Sequence, residues 1–342
     1  MSEKTNSNVL VVAELSANHG HSLDIAVETI KAARRAGADA VKLQTYTADT
    51  LTIDCRNEYF TNVLDGSIWE GRTLYELYQD AYTPWEWHET LFKTAREEGL
   101  LCFSTPFDRS SVDFLETFTP PCYKIASFEI QDTPLIAYTA SKGRPMILST
   151  GIAGMEDIEL AIETCRKAGN NDITLLKCTS SYPAPIEEAN LMMLPDMKRR
   201  FHVKVGLSDH TTGIVAPVVA VSLGAGIIEK HFILDKSIGG PDASFSLDER
   251  TFTEMVRAVR QAEQAMGTVS YELTDRMKQN RLFGRSLFVV SDIKAGETLT
   301  MENIRSIRPA NGLPPRCLSN VLGKKATTNL EKGTPLSWDL IE

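Results

Sequence analysis

A (β/α)8 barrel, the TIM-barrel class of α/β fold, followed by a small β-rich module is the architecture this sequence predicts, and three observations predict it. Short apolar runs recur between Val9 and Phe232, eight in all, most of them closed by a polar or ionisable residue. Most are separated by stretches with apolar residues three and four positions apart and a glycine near the end, the pattern of amphipathic helices. From Ser286 onward the helical period stops, and short β-like runs alternate with turns.

In order, the runs are VLVVAEL (Val9 to Leu15), AVKLQTY (Ala40 to Tyr46), LCFSTPF (Leu101 to Phe107), CYKIAS (Cys122 to Ser127), PMILST (Pro145 to Thr150), ITLLKCTS (Ile173 to Ser180), VKVGLSDH (Val203 to His210) and IIEKHF (Ile227 to Phe232). DIAVETIKAARRAGA and PWEWHETLFKTAREEG are typical of the helical stretches between them. After the eighth run, the loop DKSIGGPDASFSLDE leads into FTEMVRAVRQAEQAMG, a long amphipathic helix that completes an outer ring. The expected organisation is a barrel over residues 1–275, a polar linker over 276–285 and a module over 286–342. Within the module, SDIKAGETLT and TNLEKGTPLS repeat one pattern of strand, glycine turn and strand, as a duplicated unit would. So small a unit buries little core of its own and is expected to dock on the barrel or on a partner chain.

The chain has 342 residues, 42% of them apolar, and a formal charge of −9. No run of Lys and Arg tracks a phosphate backbone, so nucleic acid is not an expected partner. The six cysteines are scattered without a CxxC pair, and several fall in predicted core strands or helices where they read as small hydrophobes, in a reduced setting. MSEKTNSN has no apolar signal core, and no stretch approaches the roughly 18 apolar residues of a membrane span. A cytoplasmic protein with no membrane partner is expected.

In a (β/α)8 barrel the loops converge at the carboxyl ends of the strands, where catalytic groups stand. Those ends carry Glu14, Lys42, Lys124, Ser127, Ser149, Lys177, Ser208, His210, Lys230 and His231. A lysine pointing into a barrel mouth costs several kcal/mol of desolvation unless an anion meets it, so a phosphate and a carboxylate are expected ligands. Strand alternation turns some of the four lysines outward, and Lys42 and Lys124 are the choice for the site. Ser149, Ser180 and Ser208 add hydroxyl donors suited to phosphate oxygens. His210 and His231, on neighbouring strand ends, either share one divalent metal or serve as hydrogen-bonded structural groups. Glu14 and Asp242 can bind hydroxyls or move a proton. GxGxxG after the first strand, GxxxxGK[ST] and GxSxG are all missing, so dinucleotide, nucleotide-loop and serine-esterase readings lack their signatures, while Schiff-base chemistry on a lysine stays open.

AELSANHG, GADAVKLQTY, STPFD, YKIAS, LSTG, KCTSSYPAP, GLSDHT, EKHF and GPDASFSL together resemble the sialic acid synthase family, which condenses phosphoenolpyruvate with an amino-sugar to give a nonulosonic acid. The resemblance implies a TIM barrel followed by an antifreeze-like (SAF) domain. It implies a divalent metal (Mn2+, Mg2+ or Co2+) on His210 and His231, and phosphoenolpyruvate contacts from Lys42, Lys124, Ser127, Ser149, Ser180 and Ser208. Glu14, Tyr182 and Asp242 correspond to groups near the sugar. Arg308 corresponds to an arginine that the small domain delivers into the partner's barrel, implying a domain-swapped homodimer. Leu15 and Ser16, and Ser244, Phe245 and Ser246, depart from the wording of N-acetylneuraminate enzymes, so the resemblance is nearest the pseudaminic acid branch, with N-acetylneuraminate and legionaminate synthases as alternatives. A non-catalytic sugar-phosphate-binding protein is a remote one, since no strand-end polar group of the expected set is missing.

Overall fold

The computed structural model describes residues 9–61, 66 and 70–342; the N-terminal MSEKTNSN lies outside the described residues. Eight parallel strands follow the predicted runs: β1 Leu10–Glu14, β2 Ala40–Thr45, β3 Leu101–Pro106, β4 Tyr123–Ile125, β5 Met146–Ser149, β6 Ile173–Cys178, β7 Lys204–Asp209 and β8 Ile227–His231. They pair in the order β3-β2-β1-β8-β7-β6-β5-β4, and β4 lies beside β3 to complete the ring. Helices from Leu23–Arg35 to Glu249–Met266 cover the outside. Ser22, Asp108, Asp132 and Asp248 start four of them by accepting a backbone N–H, which removes one orphan donor at each end.

Alternation along each strand divides the apolar residues into two cores. Val11, Val41, Cys102, Tyr123, Leu148, Leu175, Leu207 and Ile228 face the helices within the larger cluster. Val12, Ala40, Phe103, Cys122, Ile147 and Leu176 pack on each other inside the ring. Two residues beyond each of these, on the same face, stands a polar or polarisable group: Glu14, Lys42, Thr105, Lys124, Ser149 and Cys178. The barrel thus has an apolar floor, and the site is the layer above it.

Gly206 belongs to that floor for lack of room. A Cβ there would stand 2.6 Å from both the Ile227 carbonyl oxygen and a Leu176 methyl. At the opposite end Arg260 donates to the Val9 carbonyl at 2.7 Å and pairs with Asp39 at 2.5 Å, tying the last barrel helix to the foot of β1 and β2.

A second unit covers Thr268–Glu342. The expected linker is largely ordered, with a helix at Asp275–Asn280 that Thr274 caps and a 3-10 turn at Arg281–Phe283. Its polar composition hid a helix whose start signal is a single threonine. β9 Ser286–Val289 and β10 Ile304–Ile307 pair antiparallel. The two repeated segments face each other through their equivalent residues: Ile293 and Leu330 exchange backbone hydrogen bonds of 2.9 and 2.8 Å. Asn329 accepts from the Ala295 N–H, and Asp292 from the equivalent Lys332 N–H, at 2.9 and 2.8 Å. Gly296 and Gly333, the matching turn positions, have φ of +78° and +94°, a region where a side chain is strained. Among the described residues no helix is long and apolar enough to cross a membrane.

Overpacking the floor should unfold the barrel early. Gly206→Ala is expected to cost about 2 kcal/mol and to lower Tm by roughly 4–8 °C in a thermal melt followed by circular dichroism; an unchanged Tm would show that the floor has slack.

Candidate active site

Glu229, on β8, is the centre of the polar layer. Its Oε1 lies 3.3 Å from Lys124 Nζ and 3.7 Å from Lys42 Nζ, and it accepts from Ser208 Oγ at 2.9 Å. Burial pushes this carboxyl up, but the two ammonium groups outweigh it and hold the pKa down to about 2. Sequence reasoning passed over Glu229 in favour of its neighbours Lys230 and His231. The available signal was period two: Glu229 shares the inward face with His231, and Lys230 faces the other way.

Lys42 reaches Glu14 Oε2 at 2.7 Å and donates to Thr105 Oγ1 at 3.2 Å. Ser16 Oγ and Gln44 Nε2 both donate to Glu14 Oε1, the latter at 3.3 Å. Burial lowers the ammonium of Lys42, yet Glu14 and Glu229 together raise it above its ordinary value; in Lys124 burial prevails and the pKa falls. In Glu14 burial likewise prevails and the carboxyl is raised. The other two strand-end lysines face outward. Lys177 donates to the Cys178 carbonyl at 2.7 Å, and Lys230 is bound to Asp209 and to the Thr211 carbonyl.

Hydroxyls line one side of the layer. Ser127 follows β4 and accepts the Gly151 N–H at 3.1 Å. A Cβ on Gly151 would fall 2.0 Å from Ser180 Oγ and 2.7 Å from Ser127 Oγ, so glycine alone lets these two hydroxyls and a backbone N–H share one place. Ser149 Oγ is buried beside β6 and has no hydrogen-bond partner among the described residues. A buried hydroxyl left unpaired costs free energy that an anionic ligand would recover.

His210 and His231 face each other with ring centroids 5.2 Å apart. His210 Nδ1 donates to the Thr179 carbonyl at 3.1 Å, so a neutral ring presents Nε2 as its lone-pair nitrogen; burial lowers this imidazole's pKa, but Cys178 and that carbonyl together raise it above its ordinary value. His231 Nδ1 is buried without a hydrogen-bond partner among the described residues, and Asp242 Oδ2 stands 3.8 Å away. Burial and the neighbouring His210 push His231 far below the usual imidazole range, so it is neutral, the state that ligates metals. Asp242 accepts the Ala17 N–H at 3.3 Å, and burial raises its pKa to about 6. Among the described residues no set of three or more His, Cys, Asp or Glu side chains is disposed to hold a metal. The facing imidazoles, with His231 Nδ1 left unpartnered among the described residues, still fit a divalent ion whose other positions would be left to substrate and water.

Tyr182 and Phe245 wall this corner, with Tyr182 4.5 Å from the His210 ring and Phe245 4.9 Å from the His231 ring, centroid to centroid. Cys178 corrects the reading of the cysteines as inert core: its Sγ lies 3.7 Å from His210 Nδ1, and although burial pushes the thiol up, His210 brings it down to about 7. Glu129, which sequence reasoning also missed, has a buried Oε2 with no hydrogen-bond partner among the described residues, and burial lifts its pKa to about 7. Arg308 lies in the second unit, exposed in the loop after β10. His19 reaches Thr83, in the loop ahead of the helix at His88–Glu97, and His21 the Asp80 carbonyl in the helix at Leu74–Ala81.

A barrel with this polar layer has known counterparts. Residues 29–271 match the NeuB family model and residues 284–342 the SAF domain model. The chain belongs to the NeuB family. A pseudaminic acid synthase from Campylobacter jejuni is 49% identical over 97% of this chain and 96% of its own, and one from Helicobacter pylori 47% identical over 97% of each. Among solved structures, an N-acetylneuraminic acid (sialic acid) synthetase from Leptospira borgpetersenii is 29% identical, covers 80% of this chain and 90% of its own, and superposes with a TM-score of 0.71.

Glu129 gives the family member a measurable pH signature. Its folded-state pKa lies above the ordinary 4.5, so the stability linked to its proton is fully present below pH 4.5 and is lost as pH rises through about 7. Glu129→Gln stays neutral and should gain Tm relative to the parent protein between pH 4.5 and 8. A difference in Tm that is flat over that range would contradict the burial of this carboxyl.

Proposed function

We propose that this chain condenses phosphoenolpyruvate with 2,4-diacetamido-2,4,6-trideoxy-L-altrose, releasing phosphate and forming pseudaminic acid. The observation that carries the reading is the placement of two buried ammonium groups, Lys42 and Lys124, beside a ring of hydroxyls and a pair of imidazoles in one barrel mouth. Phosphoenolpyruvate carries a phosphate and a carboxylate, and Lys42, Lys124, Ser127, Ser149, Ser180, Ser208 and the Gly151 N–H supply donors for both. Its arrival would replace Glu14 and Glu229 as counter-charges to the lysines.

His210 and His231 would hold a divalent metal, Mn2+, Mg2+ or Co2+; when bound, it supplies Lewis-acid polarisation of the sugar's aldehyde oxygen. Glu14, Tyr182 and Asp242 are assigned to the acceptor. C3 of the enol attacks the aldehyde carbon, whose oxygen takes up a proton. Water then adds at the cationic C2 and gives its proton to Glu14, a carboxylate whose raised pKa suits it to the role. The tetrahedral intermediate loses phosphate by C–O cleavage, and a nine-carbon 2-keto acid remains.

The aromatic wall supports the choice of acceptor. Phe245 is buried against Tyr182, His210 and His231, and an apolar surface there suits a sugar whose C6 is a methyl group. The pseudaminic acid synthases at 47–49% identity point the same way. A homodimer is supported by the catalytic rim itself. Phe128, Ile152, Met155, Ile186, Met192 and Val215 are exposed on the segments after β4 to β7, as expected where a partner's small domain, with Arg308, covers the rim. Six free cysteines agree with a cytoplasmic setting.

Phosphate release with phosphoenolpyruvate should be at least tenfold faster in kcat/KM with the 2,4-diacetamido altrose than with N-acetylmannosamine or the legionaminate precursor; the reverse order would reassign the acceptor. Chelation, His210→Ala and His231→Ala should each abolish turnover, with Mn2+ restoring only the chelated protein. Full activity in EDTA with no metal retained would remove the metal. Mixing Arg308→Ala with Lys42→Ala chains should recover part of the activity through dimers with one intact composite site. No recovery despite subunit exchange would assign Arg308 to its own barrel or to none.

A further inference from the structure

Lys230 is one of the two strand-end lysines that the chemistry does not use, and its surroundings point to a different task. It is among the largest fully buried side chains of the protein, on the outer face of β8, where no substrate passes. Register places Asp209 of β7 directly beside it. Lys230 Nζ is paired with Asp209 Oδ2 and also donates to the Thr211 carbonyl at 2.6 Å, while Asp209 Oδ1 accepts the Thr211 N–H at 3.0 Å. The residue enclosed by these contacts is His210. Its own carbonyl accepts the Ala184 N–H at 3.0 Å, and its Nδ1 is held by the Thr179 carbonyl.

We infer that the buried Lys230–Asp209 pair is a positioning clamp that fixes the backbone on both sides of His210 and so sets its imidazole against that of His231. The inference rests on the reading of those two histidines as the metal pair. Three facts favour a positioning role over ordinary burial of a salt bridge. A buried ion pair is seldom more stabilising than apolar residues of the same volume. This one spends a lysine donor and a carboxylate oxygen on the two backbone groups of a single residue, Thr211. And Lys230 is covalently next to His231, so one side chain couples the backbones that carry both imidazoles.

The test compares Lys230→Met with the charge-neutral Asp209→Asn/Lys230→Met double variant in the full-length protein, using free Mn2+ measured by electron paramagnetic resonance, Tm, and the Kd for phosphoenolpyruvate. The single variant leaves an unpaired buried carboxylate and should lose both stability and Mn2+ affinity. The double variant should regain most of the lost Tm yet bind Mn2+ at least tenfold more weakly than the parent, the scale of effect seen for outer contacts to ligating histidines. Its Kd for phosphoenolpyruvate should change less than threefold. Thr211→Ala, which alters no clamp atom, should keep the parent's Mn2+ affinity. A folded double variant with unchanged Mn2+ affinity overturns the clamp, as does a double variant that fails to fold, since the pair would then serve folding itself. A parent protein that binds no Mn2+ removes the metal reading instead.

Discussion

Two ammonium groups buried inside a barrel are the constraint on which the rest of this structure depends. Lys42 and Lys124 are both about 3% exposed, and a lysine so far from water is tolerated only against an opposing charge. Glu229 meets both, and Glu14 takes the second side of Lys42. The resulting network is neutral overall, with two positive and two negative groups. On the proposed reading, a dianionic phosphate would enter by exchanging counter-charges rather than by meeting a bare positive cavity; Ser208 donates to Glu229 and Lys42 to Thr105, which hold the charged groups in place.

The pairing of β7 with β8 arranges both faces of the wall at once. One register puts Ser208 beside Glu229 inside the ring and Asp209 beside Lys230 outside it. The inner pair belongs to the charge network. The outer pair grips the residues flanking His210. A slip of one residue would exchange the faces and destroy both arrangements together.

Much of the barrel was legible because its strands are short apolar runs and most of its longer helices, such as Leu23–Arg35 and Glu249–Met266, are strongly amphipathic. The lysines and histidines stood out because ionisable residues at strand ends are costly. Glu229 was missed although it obeys the same rule, because alternation was not applied along β8, where it puts Glu229 on the inward face with His231 and turns Lys230 outward. Cys178 was hidden by the general habit of buried cysteines, and its polar neighbours, His210 first and then Ser127, Ser180 and Lys124, become visible only in the folded structure. The helix at Asp275–Asn280 was not legible because that segment is polar and reads as linker, and its start signal is a single capping threonine. The internal repeat of the second unit was legible from matching glycines, and the twofold exchange between Ile293 and Leu330 follows from it.

Calorimetry of Glu229→Gln with and without phosphoenolpyruvate tests the counter-charge network most directly. If Glu229 neutralises the lysines until the substrate replaces it, the ligand-free variant should melt several degrees below the parent protein. Saturating phosphoenolpyruvate should then raise the variant's Tm by more than it raises the parent's, because the lysines have lost a competing anion. A ligand-free Tm equal to the parent's, or a variant that phosphoenolpyruvate does not stabilise, would contradict it.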